Sequence, residues 1–157
     1  MNILSTPTTS ILETGQTPTG MNLTQFARAQ ADAFELRRKA LARLTADVQW
    51  LIGQAPNSVE WKSTRRDLVE MIDLVWMQRA CIDRLGRPYT RRQLAREAFA
   101  VVRQTMPRCL ERVVSQIRER VSAELSILYR YQQLIDEPNI IRRFCEPKTN
   151  TSLTFNK

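Results

Sequence analysis

A chain of 157 residues with 43% hydrophobic side chains can bury one core and is short for two full domains. The formal net charge is +8 and arginine far outnumbers lysine, a balance that attracts polyanions and suits bidentate contacts to phosphate and guanine. Histidine is absent, which removes imidazole acid–base chemistry and the commonest zinc ligand.

Residues 1–20 are a mixture of Thr, Ser, Pro and Gly with little apolar surface to offset the entropy of ordering, so a disordered N-terminal tail is expected. Residues 21–56 then read as one long helix. Asn22 with Gln25 three residues on provides its start, and Leu23, Phe26, Ala27, Ala31, Phe34, Leu41, Leu44, Val48, Leu51 and Ile52 recur at helical steps. Arg28, Asp32, Glu35, Lys39 and Arg43 take the opposite face, and Gly53 followed by Pro56 stops the helix. Such a helix is about 45 Å long, more than a small core covers. Either its surplus stripe meets a second copy in a homodimer, or the helix breaks near Arg37 and Arg38, where charge interrupts the stripe.

Residues 57–62 read as a polar connection carrying Trp61. Ser63 or Thr64 can cap the next helix, with Asp67 in its first turn. Leu68, Met71, Ile72, Val75, Trp76, Ile82 and Leu85 form an inner stripe, so this helix is expected over residues 67–85 at the centre of a bundle. A turn at Gly86 follows. Thr90 and Gln93 then fit a capping box, and Leu94, Ala95, Ala98, Val101 and Val102 give a small apolar face suited to close helix packing over residues 91–102.

Pro107 fits the first position of a further helix over residues 108–120. Leu110, Val113, Val114, Ile117 and Val121 are expected to face inward, and Arg108, Glu111, Arg112, Ser115, Gln116, Glu119 and Arg120 outward. Residues 84–120 contain ten arginines against three glutamates, so most of these guanidinium groups lack an acid within the segment. The helical pattern continues from Ser122 to Ile135 and ends at Pro138. One further turn over residues 139–144 and a polar C-terminal tail complete the chain.

The resulting fold class is all-α, a helical bundle with a helix-turn-helix-like unit in its C-terminal half. The domain reading is a tail over 1–20, a helix over 21–56, a helix-turn-helix-like domain over 57–137, and a short turn with a polar tail over 138–157. Cys81, Cys109 and Cys145 are far apart, with no CxxC pair, and read as small buried hydrophobes in a reducing compartment, with neither a metal site nor a disulfide framework. No signal peptide and no run of about eighteen apolar residues is present, which points to a cytoplasmic protein with no membrane partner. Neither a Gly-rich phosphate loop nor a Ser or Cys beside a plausible base occurs, so no enzyme activity, small-molecule substrate or cofactor is expected.

The run Trp61-Lys62-Ser63-Thr64-Arg65-Arg66-Asp67-Leu68-Val69-Glu70-Met71-Ile72-Asp73-Leu74, then Gly86, the capped segment 90–97 and the basic segment 110–120, resembles the C-terminal half of the RteC family, regulators carried on Bacteroides-type conjugative transposons. The likeness spans about residues 61–137, and its most specific part is the W-x-x-[ST] lead into D-L-V-E-M-I. It implies a helical protein that binds double-stranded DNA upstream of excision genes and activates their transcription. Residues 1–60 depart from the family, which has an N-terminal domain of its own there. Read from residue types together with that layout, the DNA-binding candidates are Arg87, Arg91, Arg92, Arg103, Arg108, Arg112, Ser115, Gln116 and Arg120. The competing reading is a helical protein-interaction or oligomer subunit without DNA binding.

Overall fold

The computed structural model describes Gly20 and residues 22–149. The expected tail over 1–20 lies outside the described residues apart from Gly20, as does the chain beyond residue 149. The architecture is mainly α-helical with one small two-stranded sheet. No helix among the described residues is long and apolar enough to cross a membrane.

Helix α1 (Leu23–Ile52) is continuous through Arg37 and Arg38. The chain divides into two compact units, Met1–Glu35 and Leu36–Lys157. In the first unit Asn22 Oδ1 accepts from the Gln25 N–H at 2.9 Å, as the Asn–x–x–Gln spacing predicts, and Leu23, Phe26 and Phe34 are exposed.

In the second unit, residues 36–52 of α1 bury Ala40, Leu44, Val48 and Leu51 at three- and four-residue steps. Arg43 Nη2 donates to the carbonyls of Glu137 and Pro138 at 2.8 and 3.0 Å. The Tyr131 hydroxyl donates to Asp47 Oδ2 at 2.8 Å. Burial raises the Asp47 carboxyl above its ordinary range even though Tyr131 and Arg43 oppose the shift.

The segment read as a polar connection is strand β1 (Val59–Trp61), and the segment read as a turn and polar tail supplies strand β2 (Cys145–Pro147), its antiparallel partner. Val59 and Trp61 point inward while Glu60 points out, the alternation a half-buried strand requires. Ile140, Ile141, Phe144 and Cys145 are core residues. The Phe144 ring stacks between Trp61 and Tyr131, with centroid distances of 6.3 and 5.6 Å. Periodicity cannot show this pairing, because three-residue strands are too short to display a pattern and their partners lie far apart in the chain.

Helix α2 (Arg65–Met77) starts where expected. Thr64 Oγ1 accepts from the Asp67 N–H at 3.0 Å, and Asp67 Oδ2 accepts from the Thr64 N–H and, at 2.5 Å, from the Ser63 hydroxyl. Trp61 Nε1 donates to the Thr64 carbonyl at 2.9 Å, so the W-x-x-[ST] spacing acts as a clamp on the helix entrance. The helix ends at Met77 rather than at residue 85. Ile82 pairs with Pro88 in an antiparallel bridge, Asp83 Oδ1 accepts from the Leu85 and Arg87 N–H groups, and Gly86 takes φ +74°. This Asp-anchored turn leaves Ile82 and Leu85 exposed, against the inner stripe expected of them.

Three further helices pack on α2, namely α3 (Arg91–Val101), α4 (Leu110–Arg118) and α5 (Ile127–Gln133). Thr90 and Gln93 form the expected capping box on α3, whose Leu94, Ala95, Ala98 and Val101 are buried, with Val102 just after them. Helix α4 begins later than expected, with Cys109 at its cap and Pro107 outside it, and it ends before Arg120. Val121 is fully exposed because the chain has already left the helix. A 3-10 turn (Ala123–Leu125) follows, and Ser126 rather than Ser122 caps α5 through the Tyr129 N–H. Of the cysteines, Cys81 and Cys145 are buried and Cys109 is exposed.

The side of α2 that meets these helices carries three carboxylates three residues apart. Asp67, Glu70 and Asp73 retain only 8, 6 and 4% of their surface. Each is met by arginine. Arg130 of α5 donates to Asp67. Arg120 Nη2 lies 2.9 Å from Glu70 Oε2. Arg91 of α3 and Arg118 of α4 both engage Asp73, at 2.9 and 3.0 Å. Burial alone would raise the Asp67 carboxyl, but the hydrogen bonds from Ser63, Arg130 and Thr64 and the Arg130 charge hold it below its ordinary 3.8. A carboxylate whose folded value is depressed contributes stability above its unfolded value and loses it as pH falls through the folded one. Urea titrations from pH 5 to pH 2 should therefore show a steep acid loss of stability in the parent chain. Asp67→Asn should be less stable at neutral pH and show a shallower loss below about pH 4; parallel profiles would contradict the assignment.

Candidate nucleic-acid interface

Nine side chains were the sequence-level candidates for contacting DNA, and the fold sorts them into two groups. Arg91 and Arg120 are structural. Arg91 is 17% exposed, pairs with Asp73 and lies with its guanidinium 4.2 Å from the Trp76 ring centroid. Arg120 is 15% exposed and is committed to Glu70. Its expected outward position on a helix ending at residue 120 is corrected by the earlier end of α4, which turns the side chain back to α2. Their partners lie on α2, outside the 84–120 window in which the charges were counted. A count within one segment therefore overstated the free arginines.

Arg87 is exposed and sits 3.4 Å from Asp83 within its own turn. Arg92, Arg103, Arg108 and Arg112 are exposed and make no ion pair among the described residues, and Arg84 and Arg96 share that state. Arg92 and Arg96 stand one turn apart on α3. On α4, Leu110, Val114 and Ile117 seat the helix on the core, while Arg112, Ser115, Gln116 and Glu119 at three- and four-residue steps form its outer face. That division matches the expected one for these residues. Arg118, not among the candidates, is half-exposed and chelates Asp73 through Nε and Nη2.

The connection between α3 and α4 spans residues 102–109, with Arg103 at φ +49° and the Gln104 N–H bonded to the Phe99 carbonyl at 3.1 Å. This is longer than the turn of about three or four residues in a helix-turn-helix. Placing the helix start at Pro107 made the break look shorter than it is.

Among the described residues no group of His, Cys, Asp or Glu has the arrangement of a metal site. Burial raises both the Cys81 and Cys145 thiols, the latter to about 11, so both are protonated at neutral pH. Comparison with protein-family models, with curated proteins and with solved structures returns no match.

The two arginine groups should separate experimentally. Arg91→Ala leaves Asp73 with one partner and removes the stack on Trp76, so its urea midpoint should fall by the equivalent of about 2 kcal/mol or more. Arg92→Ala, one residue away but exposed, should stay within about 0.5 kcal/mol of the parent. Equal midpoints for the two variants would contradict the division.

Proposed function

We propose that this protein is a sequence-specific double-stranded DNA-binding transcriptional regulator, linked to the excision or transfer of a mobile element as the RteC resemblance implies. In this reading α4 is the helix that enters the major groove. Arg112, Ser115 and Gln116 meet base edges and phosphates, and Arg92, Arg103 and Arg108 with Arg87 grip the backbone.

The observation that carries the reading is the outer face of α4. It offers a guanidinium, a hydroxyl and an amide that are exposed and make no side-chain hydrogen bond or ion pair among the described residues, on a helix held firmly from behind by Leu110, Val114 and Ile117. A side chain that must discriminate bases has to be free before binding and rigidly mounted. Arginines spent on solubility alone do not require such mounting. The counts of charge agree, since the structural arginines are neutralised by α2 while Arg84, Arg92, Arg96, Arg103, Arg108 and Arg112 are not.

The competing reading, a helical interaction subunit, is favoured by the exposed Leu23, Phe26 and Phe34 of α1. One set of titrations decides between them. Duplex pools selected for binding should yield a preferred sequence, and affinity for it should fall steeply with salt, with a log–log slope of about −0.9 per phosphate contacted. Arg112→Ala or Gln116→Ala should cost roughly 1–3 kcal/mol on the preferred duplex and relax its preference, whereas Arg92→Ala should weaken all duplexes alike. No measurable duplex affinity, together with a mass in sedimentation that rises with concentration, would replace this function with the interaction reading.

A further inference from the structure

The run Phe26-Ala27-Arg28-Ala29-Gln30-Ala31-Asp32-Ala33-Phe34 reads the same in both directions about Gln30, except that Arg28 stands where the reversed run has Asp32. One step further out Gln25 matches Glu35, an amide against a carboxylate of the same shape. The whole run lies on α1. At about 100° per residue, Phe26, Gln30 and Phe34 fall on one stripe with Leu23, Ala27 and Ala33 sit symmetrically at its edges, and Arg28 and Asp32 take the opposite side.

The described chain leaves this stripe open. Residues 22–34 are all exposed, and Leu23, Phe26 and Phe34 keep 69, 39 and 70% of their surface. The buried residues of α1 begin only at Ala40. Helical segments of this length are marginal in water by themselves and draw their stability from packing of the apolar face.

The symmetry of the run identifies what covers it. In a two-fold interface residue i of one copy meets residue j of the other and j meets i, so an antiparallel pair of identical helices needs a stripe that matches itself when reversed. An unrelated partner imposes no such condition on the sequence. Nor does a parallel pair, which would also set Arg37, seven residues beyond Gln30 on the same stripe, against Arg37 of the second copy.

We propose that residues 23–35 of α1 form an antiparallel two-fold interface with the same segment of a second copy, centred on Gln30. With the axis there, Phe26 lies level with Phe34 of the second copy and packs over its Ala33, while Phe34 packs over its Ala27. Large rings meet small side chains, the fit that knobs-into-holes packing requires. The two Gln30 amides meet at the axis, where a polar pair fixes register at a cost in stability. A contact about 20 Å long is small for a protein interface, so the dimer is weak and depends on concentration.

Sedimentation equilibrium of the full chain without duplex, from about 1 μM to about 1 mM, tests the proposal independently of DNA binding. The mass should rise from 18.3 kDa toward twice that value. Phe34→Glu should weaken association by about tenfold or more, because symmetry removes two aromatic contacts and adds two charges per dimer. Phe34 lies outside the core, so the urea midpoint should not move. Disulfide trapping in a Cys109→Ser background, which removes the exposed native thiol, reads the orientation. Gln30→Cys should trap a covalent dimer. Leu23→Cys should not, because its two copies lie about 21 Å apart along an antiparallel pair, whereas a parallel pair would trap both. A mass fixed at 18.3 kDa, association unchanged by Phe34→Glu, or trapping of Leu23→Cys as readily as Gln30→Cys would overturn the proposal.

Discussion

Three carboxylates on one helix dictate how the rest of this protein is put together. Asp67, Glu70 and Asp73 sit on α2, the helix against which α3, α4 and α5 all pack, and each is buried. Charges taken out of water cost several kcal/mol apiece unless they are met by an opposite charge in good geometry. The chain meets that requirement by sending one arginine from α3, two from α4 and its C-terminal end, and one from α5 to the same row. Apolar packing supplies the driving force, through Leu68, Met71, Ile72 and Val75 against Leu94, Leu110 and Ile127. The ion pairs supply register. A helix slid by one turn along α2 would keep much of its apolar contact but leave a buried carboxylate unmatched, which makes the alternative packing costly.

The same row explains why so basic a chain is not simply a cloud of positive charge. Arg91, Arg118, Arg120 and Arg130 belong to the core's electrostatics, whereas Arg84, Arg92, Arg96, Arg103, Arg108 and Arg112 remain available to an external polyanion. The function proposed above requires a helix fixed from behind whose exposed outer side chains make no ion pair among the described residues, as on α4. Paired, half-buried and exposed arginines thus occupy adjacent positions, as at Arg91 and Arg92, and only packing tells them apart.

Local signals in the sequence were the ones that could be read. The Thr64–Asp67 and Thr90–Gln93 caps depend on residues three apart, and the inner and outer faces of α3 and α4 depend on steps of three and four. What escaped depends on distant partners. Val59 and Trp61 carry no visible strand pattern until Cys145–Pro147 lies beside them. Ile82 and Leu85 fall on the helical stripe by spacing alone, yet Asp83 and Gly86 redirect the backbone into a turn before they can join it. Arg91 and Arg120 looked free because the acids that bind them stand on α2. Val121 continued the α4 pattern past the point where the helix ends.

The claim that the α2 carboxylates hold the arginine-bearing helices in place is tested most directly by a double-mutant cycle in urea on Glu70 and Arg120, using Glu70→Gln, Arg120→Met and the double variant. A coupling of about 1 kcal/mol or more, with the double variant closer to the parent than the sum of the single losses, is the result this account requires. Losses that add to within about 0.3–0.5 kcal/mol would show that the pair carries no mutual energy and would contradict it.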